Sequence, residues 1–420
     1  MGRTLTKNFR SSLTFAPDEV HEVLQQKIAE ENRHALESST PQTRDFEHEL
    51  LATAHYTSKT NILSLFSGAG GLDLGVQLAF LVAKYGEEKA YKIFTDEASF
   101  KSLSADAHIV YSNDLFIAAN ETYVANFGSE LVKDSRDIRK VVTFPQSDLI
   151  LGGFPCPGFS AAGPRLLDDP RNFLYIHYIR ALMQSRPAFF IAENVKGLMT
   201  MANGQVLEQI IEDFAAAGYQ VQAHLVNARD YGVPQLRERV FIIGARNDIV
   251  EKTGFTYELP EPTHGPDRDL PYITLRDAIG DLEFSDVSEV FDGSYSSMYM
   301  SRNRKKGWDE QSFTIQASGR QAPQHPGGEP MKKLGKDSWK FQGEFNRRVS
   351  VREAARIQTF PDWFEFSDGG NQKVSKNNRL NEQYKQIGNA VPVFLAEKIS
   401  RPIAKFLLEM KPSQMNETLF

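Results

Sequence analysis

A chain of 420 residues that is 41% hydrophobic can bury one large core or a large and a small one, so we expect one or two domains. A single cysteine excludes an internal disulfide and a cysteine-rich zinc site. The nine histidines are scattered along the chain, so we expect no bound metal. The net charge is −6, and the sequence lacks both an apolar run of the roughly 20 residues that span a bilayer and a signal-peptide core, which predicts a cytoplasmic protein away from membranes.

The first part of the chain predicts a helical extension followed by an α/β sheet. Residues 1–60 contain a helix-like run at 20–36 and no chemical motif that we identify. From residue 61 to 246, short β-branched and aromatic runs alternate with amphipathic stretches, a pattern typical of a Rossmann-like, mostly parallel sheet. The predicted strands are 62–66, 108–111, 148–151, 188–192, 220–226 and 240–243.

After residue 246 the alternation ends in a stretch rich in proline and glycine, which predicts a smaller second unit at 247–346. Helical patterning returns at 350–358, and a last helix is predicted at 391–408 after a loop of sequence YKQIGNAVP. Residues 347–410 would therefore return to the first unit and complete it. Residues 411–420 are predicted to be a C-terminal tail.

Basic residues are concentrated around the second unit. Between residues 300 and 352 there are twelve Lys or Arg and five Asp or Glu, a local excess of +7 in an acidic chain. Such a run is usually a solvated face, but it also suits contacts to a polyanion.

A glycine-rich turn follows the first predicted strand. Gly68, Gly70 and Gly71 precede a predicted helix, so backbone amides of the turn can face a ligand, although a plain structural turn explains them equally. After the next strands, Asp114 could accept hydrogen bonds from a ribose diol and Asp137 could meet an adenine edge. Taken alone, each aspartate is as typical of a helix N-cap, and only their joint order favours a nucleoside site.

The only cysteine, Cys156, lies between two prolines after a predicted strand, at the edge where open α/β sheets bind ligands. An isolated cysteine is most often a small buried hydrophobic residue, but this stiff setting favours a nucleophile. Glu193 ends the next strand and could act as an acid, while Arg237 and Arg239 stand at alternating strand positions and could stabilise negative charge. Taken alone, Glu193 is more typical of an ordinary carboxylate at a strand end, and the two arginines of a surface strand. Only their combination with Cys156 favours a catalytic site.

Together these motifs resemble, in the same order, those of the cytosine carbon-5 DNA methyltransferases over residues 61–408. The resemblance implies an S-adenosylmethionine-dependent methyltransferase fold. It also implies that Cys156 attacks carbon 6 of a cytosine, that Glu193 neutralises the ring nitrogen, and that Arg237 and Arg239 assist, so that carbon 5 accepts a methyl group.

The resemblance further implies which residues bind the cofactor, S-adenosyl-L-methionine. They are Phe66, Ser67, Gly68, Gly70, Gly71, Leu72, Asp114, Leu115, Asp137, Ile138, Pro155, Leu174, Asn389 and Ala390. Three features depart from the family pattern: Pro157 replaces the usual Gln beside the nucleophile, Leu115 replaces a frequent aromatic residue at the adenine, and the link at 81–107 is long.

Duplex DNA is the implied partner, and a cytosine must leave the base stack to meet a thiolate. Residues 247–346 would then form a target-recognition domain. Arg302, Arg304 and Arg320 stand at the spacing of guanine-reading arginines in members specific for GGCC, and Ser160 would also contact DNA. We therefore expect a target with GG and CC steps, contiguous or interrupted, methylated by a monomer at the bacterial nucleoid in a restriction–modification system. A partner endonuclease would act on the same site without direct contact.

Three other functions share part of the pattern. A methyltransferase of the same fold that acts on transfer RNA would share every catalytic motif, although the long segment between Arg239 and Arg347 reads as a duplex-reading domain. A non-catalytic DNA-binding protein would not need Cys156, Glu193 and Arg239 intact. A nicotinamide dehydrogenase would need a different glycine spacing.

Overall fold

A computed structural model describes residues 15–53, 58–128, 131–155, 174–370 and 373–410, with the side chains of 52 and 53 left aside. The strands are β1 (Thr60–Leu65), β2 (Ala107–Asn113), β3 (Val132–Asp134), β4 (Leu149–Gly152), β5 (Phe189–Val195), β6 (Tyr219–Asn227), β7 (Glu238–Arg246), β8 (Lys332–Gly335) and β9 (Ser338–Lys340). The helices are α1 (Pro17–Glu37), α2 (Pro41–Thr53), α3 (Gly71–Tyr85), α4 (Glu87–Phe94), α5 (Glu97–Leu103), α6 (Ile117–Phe127), α7 (Leu174–Ser185), α8 (Gln205–Ala216), α9 (Asn247–Thr253), α10 (Leu275–Ile279), α11 (Val351–Ile357), α12 (Lys376–Asn389) and α13 (Val393–Glu409). Within these ranges no helix is long and apolar enough to cross a membrane.

Seven strands form one sheet in the order β3-β2-β1-β4-β5-β7-β6. Strands β1 to β5 are parallel, whereas β7 runs antiparallel between β5 and β6. The predicted mostly parallel sheet is confirmed, and all six predicted strands are present. The sequence missed β3, a three-residue strand that includes Lys133 and Asp134, and the separate β8–β9 hairpin, because neither carries an apolar run.

Both faces of the sheet are covered, which is why β1 and β4 are buried at every residue. One face packs against α3 and α13, whose Val76 and Leu395 belong to its apolar cluster. The other face packs against α7 and α8, and Leu24 and Leu50 of the N-terminal helices join that cluster. The helical extension predicted at 1–60 is therefore docked on the core through α1 and α2.

The second unit predicted at 247–346 is largely irregular and contains α9, α10 and the β8–β9 hairpin. Its buried Ile279, Phe291 and Ile315 belong to one apolar cluster with residues of α3, α11 and α12. As far as the described residues go, this segment shares its core with the first unit. The long link at 81–107 forms the end of α3 and the whole of α4 and α5.

The C-terminal segment differs from the prediction at one place. Residues 384–389, predicted as a loop, form the end of α12, and only residues 390–392 connect it to α13. Helix α12 buries Leu380, Tyr384 and Ile387, which have the i, i+4, i+7 spacing of one helix face. In the sequence, the polar residues that separate these three positions, together with Gly388 after them, made the helical spacing difficult to recognise.

Helices α3 and α13 cross at Gly75, and the contact fixes the helix that begins at the glycine turn. A Cβ atom at Gly75 would lie 2.4 Å from the Cβ of Ala396 and 2.6 Å from the carbonyl oxygen of Val393. Only a glycine lets the two backbones approach this closely.

We expect Gly75→Val to lower the free energy of unfolding by about 1–3 kcal/mol, because the added methyl groups force the two helices apart. Urea unfolding followed by circular dichroism measures the change. Gly335→Ala is the control, since a Cβ there meets no atom within 4 Å. Equal unfolding midpoints for Gly75→Val and the wild type would contradict the close crossing.

Candidate active site

A cavity of about 640 Å³ opens at the carboxyl edge of the parallel strands. It lies where β1, β2, β4 and β5 end, because the carboxyl ends of parallel strands meet at one edge. The residues predicted to bind the cofactor line this cavity, with one exception: Phe66, Ser67, Gly68, Gly71, Leu72, Asp114, Leu115, Asp137, Ile138, Pro155, Leu174, Asn389 and Ala390. Seven stretches of chain, from residue 64 to residue 391, are thus brought to one place.

The exception is Gly70, which does not line the cavity. Its φ of 85° lies in the left-handed region, and a Cβ there would meet the ring of Phe127 at 2.3 Å. Gly70 therefore allows the turn into α3 and its packing against α6. Phe66, at the other end of the turn, is held at a φ of 53°, a strained conformation for a residue with a side chain.

Asp114 ties the glycine turn to the end of β2. Its Oδ2 accepts a hydrogen bond from the backbone N–H of Gly68 at 2.9 Å, and its Oδ1 accepts from the N–H of Phe116 at 2.7 Å. Burial raises the pKa of this carboxyl, and the two backbone donors oppose the rise. The carboxylate thus sits fixed at the cavity wall, where it can still accept further hydrogen bonds.

Asp137 caps a short 3₁₀ turn, which is one of the two roles that the sequence indicated for this residue. Its carboxylate accepts from the backbone N–H of Arg139 at 3.0 Å and from the guanidinium of the same residue, which lowers the pKa of Asp137. Ile138, the next residue, is buried and lines the cavity.

Sequence reasoning missed several residues of the cavity wall. Phe116 lines it beside Leu115, which is 66% exposed, and the ammonium of Lys385 lies 3.8 Å from the centre of the Phe116 ring. The cavity wall therefore has an aromatic side chain at position 116, one residue after the position at which the family frequently has one. Asp73, Arg136 and other wall residues carry no motif of their own and become wall residues only through folding.

Glu193 and Arg239 form an ion pair at the end of β5. The Nε of Arg239 lies 2.8 Å from Oε1 of Glu193, and the carboxylate lines the cavity with only 9% of the residue exposed. Gly153 leaves room for it, since a Cβ there would lie 3.2 Å from Oε2. The sequence predicted that Arg239 stabilises negative charge on the base, whereas in the fold its Nε contacts the carboxylate of Glu193.

The neighbour of this acid, Asn194, fixes the loop that leads to Cys156. The buried amide of Asn194 donates to the carbonyl oxygen of Phe154 at 3.1 Å. Pro155 lines the cavity directly before Cys156. Cys156 itself, Pro157 and the predicted DNA contact Ser160 lie outside the described residues.

Arg237 is placed differently from the prediction. It precedes β7, is 1% exposed, and does not line the cavity. Its guanidinium donates to the carbonyl oxygens of Gly388 and Ala390, each at 2.9 Å, and of Ile315 at 3.3 Å. Burial lowers its pKa. Arg237 therefore anchors the C-terminal wall of the cavity, because both of its terminal nitrogens donate to backbone carbonyls.

A family model described as C-5 cytosine-specific DNA methylase matches residues 60–405, which span the sheet and every wall of the cavity. The chain belongs to this family. This methylase is 56% identical over 417 residues to the Type II methyltransferase M.BsuRI of Bacillus subtilis, which covers 98% of the chain and 93% of that protein. It is also 56% identical over 403 residues to M.BspRI of Lysinibacillus sphaericus, covering 95% of the chain and 92% of that protein.

The fold of this methylase is also shared by distant relatives. The solved structure of the S. pombe Dnmt2 methyltransferase matches with a TM-score of 0.53 at 18% identity, covering 84% of this chain and 99% of that one. At this identity the likeness concerns the fold alone. The predicted methyltransferase fold is confirmed, and the family assigns the activity of a DNA cytosine-5 methyltransferase.

The three arginines predicted to read DNA differ in their surroundings. Arg302 and Arg320 are exposed. Arg304 is half-buried: its Nε donates to the carbonyl oxygen of Tyr299 at 3.0 Å, and its Nη2 donates to the amide oxygen of Gln321 at 3.0 Å. Only Arg302 and Arg320 thus present their guanidinium groups to solvent, while Arg304 holds the loop together.

Asp73 is a buried acid in the cavity wall, in the first turn of α3. It is 1% exposed, and its Oδ1 has no hydrogen-bond partner among the described residues. Burial raises its pKa to about 6. In the unfolded chain this aspartate has an ordinary pKa of about 3.9, so it loses its proton at a lower pH than in the folded chain. Folding stability therefore falls as the pH rises from about 4 to about 6.

The wild type loses about 3 kcal/mol of folding stability through Asp73 as the pH rises over this range. We expect Asp73→Asn to lack this loss, so the stability of the variant relative to the wild type should increase from pH 4 to pH 7. Thermal or urea unfolding at intermediate pH values measures the difference. Asp45→Asn, at an exposed position of α2, is the control and should give a flat difference. A flat difference for Asp73→Asn as well would show that its carboxyl ionises normally.

Proposed function

We propose that this methylase transfers a methyl group from S-adenosyl-L-methionine to carbon 5 of a cytosine flipped out of duplex DNA. The observation that carries the proposal is the Glu193 carboxylate, held by Arg239 at 2.8 Å on the wall of the cavity that Pro155 also lines. Because Pro155 directly precedes Cys156, a thiol and an acid would meet at the same part of the cavity.

The described residues of the cavity fit S-adenosyl-L-methionine. The volume of the cavity lies in the range of about 300–1,000 Å³ that is typical of small-molecule sites. Gly68 has open space where a side chain would stand, so the turn can lie close to a ligand. The buried Oγ of Ser67 and Oδ1 of Asp73, which lack partners among the described residues, offer acceptors to a cationic ligand. When bound, the cofactor supplies an electrophilic methyl group on its sulfonium.

The residues of the chain then have separate roles toward the base. The Cys156 thiolate adds to carbon 6 and makes carbon 5 nucleophilic. Glu193 holds a proton at the ring nitrogen, so that the electron pair displaced from the double bond between carbons 5 and 6 does not leave a full negative charge on the base. After carbon 5 has accepted the methyl group, loss of its proton and expulsion of the Cys156 thiolate from carbon 6 restore the double bond. Arg239 is a positioning residue, because its contact is to the carboxylate of Glu193. Asn194 fixes the backbone at Phe154, two residues before Cys156 in the sequence.

We expect Cys156→Ser and Glu193→Gln each to lower methyl transfer at least about a hundredfold, because each removes a group that takes part in the chemical step. Incorporation of labelled methyl groups into duplex DNA or transfer RNA measures the activity. Glu238→Gln is the control for Glu193→Gln, because that exposed carboxylate pairs with Lys196 at the surface. Label in transfer RNA, label in neither nucleic acid, or full activity of Cys156→Ser would contradict the proposal.

The target that we propose contains GG and CC steps, as GGCC or an interrupted form, and its methylation would protect the host from an endonuclease cutting the same site. The names of the two similar proteins describe Type II methyltransferases, which agrees with such a system. The proposed target-recognition segment carries exposed Arg302 and Arg320, which suit bidentate contacts to guanine. The β8–β9 hairpin adds four exposed lysines that suit phosphate contacts, Lys332, Lys333, Lys336 and Lys340. We place this activity in a monomer at the nucleoid.

We expect Arg302→Ala and Arg320→Ala to relax specificity, each by about 1–3 kcal/mol at one base pair, because each removes a solvent-facing guanidinium. Bisulfite sequencing of a plasmid methylated by each variant reports the sites. Arg304→Ala should instead mainly lower thermal stability, because it releases the contacts to Tyr299 and Gln321. Arg268→Ala, which removes a surface pair with Glu261, is the control. Unchanged site preference in both exposed-arginine variants would refute their role as base readers.

A further inference from the structure

The connection between β3 and β4 forms one wall of the cavity and is held from behind by the N-terminal helices. Residues 136–139 of this connection line the cavity, and they include Asp137 and Ile138, the residues predicted to meet the adenine. We name residues 136–144 the adenine-side loop. The loop contains a single 3₁₀ turn, so few of its backbone groups are paired within it.

Glu47 of α2 supplies acceptors to this loop. It is 3% exposed, and its Oε1 accepts from the guanidinium of Arg136 at 2.8 Å and from the N–H of Val142 at 3.0 Å. Its Oε2 accepts from the N–H of Thr143 at 3.2 Å. One buried carboxylate thus joins both ends of the loop, and each bond is strengthened by its charge.

The ion pair extends from Glu47 into the sheet. Arg136 also binds the carboxylate of Asp134 at the end of β3, with Nη2 to Oδ2 at 2.6 Å, and Asp134 in turn accepts from the hydroxyl of Tyr111 at 2.9 Å. The guanidinium lies 5.3 Å from the centre of the Phe46 ring. Arg136 is therefore held between a residue of the sheet and two residues of α2.

Helix α7 holds the opposite side of the loop. The guanidinium of Arg180, which is fully buried, donates to the carbonyl oxygen of Ile138 at 2.7 Å and to that of Val141 at 2.5 Å. The side chain of Gln184 donates to the carbonyl oxygen of Val142 at 3.1 Å and to Oδ1 of Asn32, on α1, at the same distance. Both N-terminal helices thus take part in the network that surrounds the loop.

From these contacts we propose that the N-terminal extension is a positioning element for cofactor binding, acting through the carboxylate of Glu47 on the adenine-side loop. The proposal rests on the proposed function, since it concerns affinity for S-adenosyl-L-methionine. Without the Glu47 contacts, the N–H groups of Val142 and Thr143 lose their buried acceptor, and Arg136 keeps only its pair with Asp134. The loop then samples conformations in which Asp137 and Ile138 leave the cavity wall, and the cofactor must order it on binding.

Glu47→Gln tests the proposal because it preserves the side-chain volume, removes the charge and replaces one acceptor with a donor. We expect the dissociation constant for S-adenosyl-L-methionine, measured by titration calorimetry, to rise about tenfold. Amide hydrogen exchange of the peptide covering residues 136–144 should quicken in the absence of cofactor. The rate at saturating cofactor and the KM for DNA should stay close to wild type, since Glu47 does not line the cavity.

Two controls separate this role from general stabilisation. Glu22→Gln changes an exposed carboxylate of α1 and should alter neither measurement. Ile249→Ala creates a hole under α9, at the opposite edge of the sheet, because β7 is antiparallel and ends there. It should lower the melting temperature and leave cofactor affinity unchanged. If Glu47→Gln fails to fold, Glu47→Asp, which keeps the charge at shorter reach, provides the same two measurements.

The outcomes distinguish this proposal from the proposed function. A wild-type enzyme that does not bind S-adenosyl-L-methionine would overturn both. A wild-type enzyme that binds it, together with an unchanged affinity in Glu47→Gln, would overturn the role of the extension alone. The role would also fail if Ile249→Ala weakened cofactor binding as much as Glu47→Gln, because affinity would then follow global stability.

Discussion

The cavity depends on one buried interaction, the guanidinium of Arg237 and the carbonyl oxygens around it. Arg237 precedes β7 and binds Gly388 and Ala390 from the C-terminal segment and Ile315 from the second unit. Three parts of the chain that lie far apart in sequence meet at this side chain. Burying a cation costs desolvation free energy, which lowers its pKa, so the site persists only because each carbonyl supplies a compensating hydrogen bond. Residues 389–391 then close one wall of the cavity.

Buried arginines bind backbone carbonyl groups at two other irregular segments. Arg180, Arg237 and Arg348 are the largest fully buried side chains of the described residues. Arg180 binds carbonyl groups of the adenine-side loop, and Arg348 binds those of Phe291, Gly293 and Ser294 in the second unit. A loop in the interior has carbonyl groups that no sheet or helix pairs, and a planar guanidinium with five donors satisfies several at once. This explains how a largely irregular second unit can share an apolar cluster with α3, α11 and α12.

The chemistry of the site follows from its position on this framework. Parallel strands bring Asp114, Gly153 and Glu193 to one edge, and α3 brings the glycine turn against them. The wall opposite the sheet comes from elements added around it: the C-terminal segment held by Arg237 and the adenine-side loop held by α2 and α7. The cavity is thus formed where three separately anchored segments meet, and it retains a buried acid, Asp73, whose ionisation is unfavourable. The ionised carboxylate of Asp73 therefore lowers the stability of the fold above about pH 6.

Six of the seven strands of the main sheet, the order of the motifs and the place of Glu193 near a strand end could be predicted from the sequence, because apolar runs and residues at strand ends are local patterns. It also carried enough of the family's motifs to indicate the reaction. Three placements became visible only in the folded chain. Arg237 binds the C-terminal wall, and Glu47 of the extension reaches the adenine-side loop. Arg304 is bound within its own loop, while Arg302 and Arg320 are exposed. These are contacts between residues far apart in the chain, and the free energy of such a contact depends on the burial and partners that folding creates, which leave no local spacing to recognise.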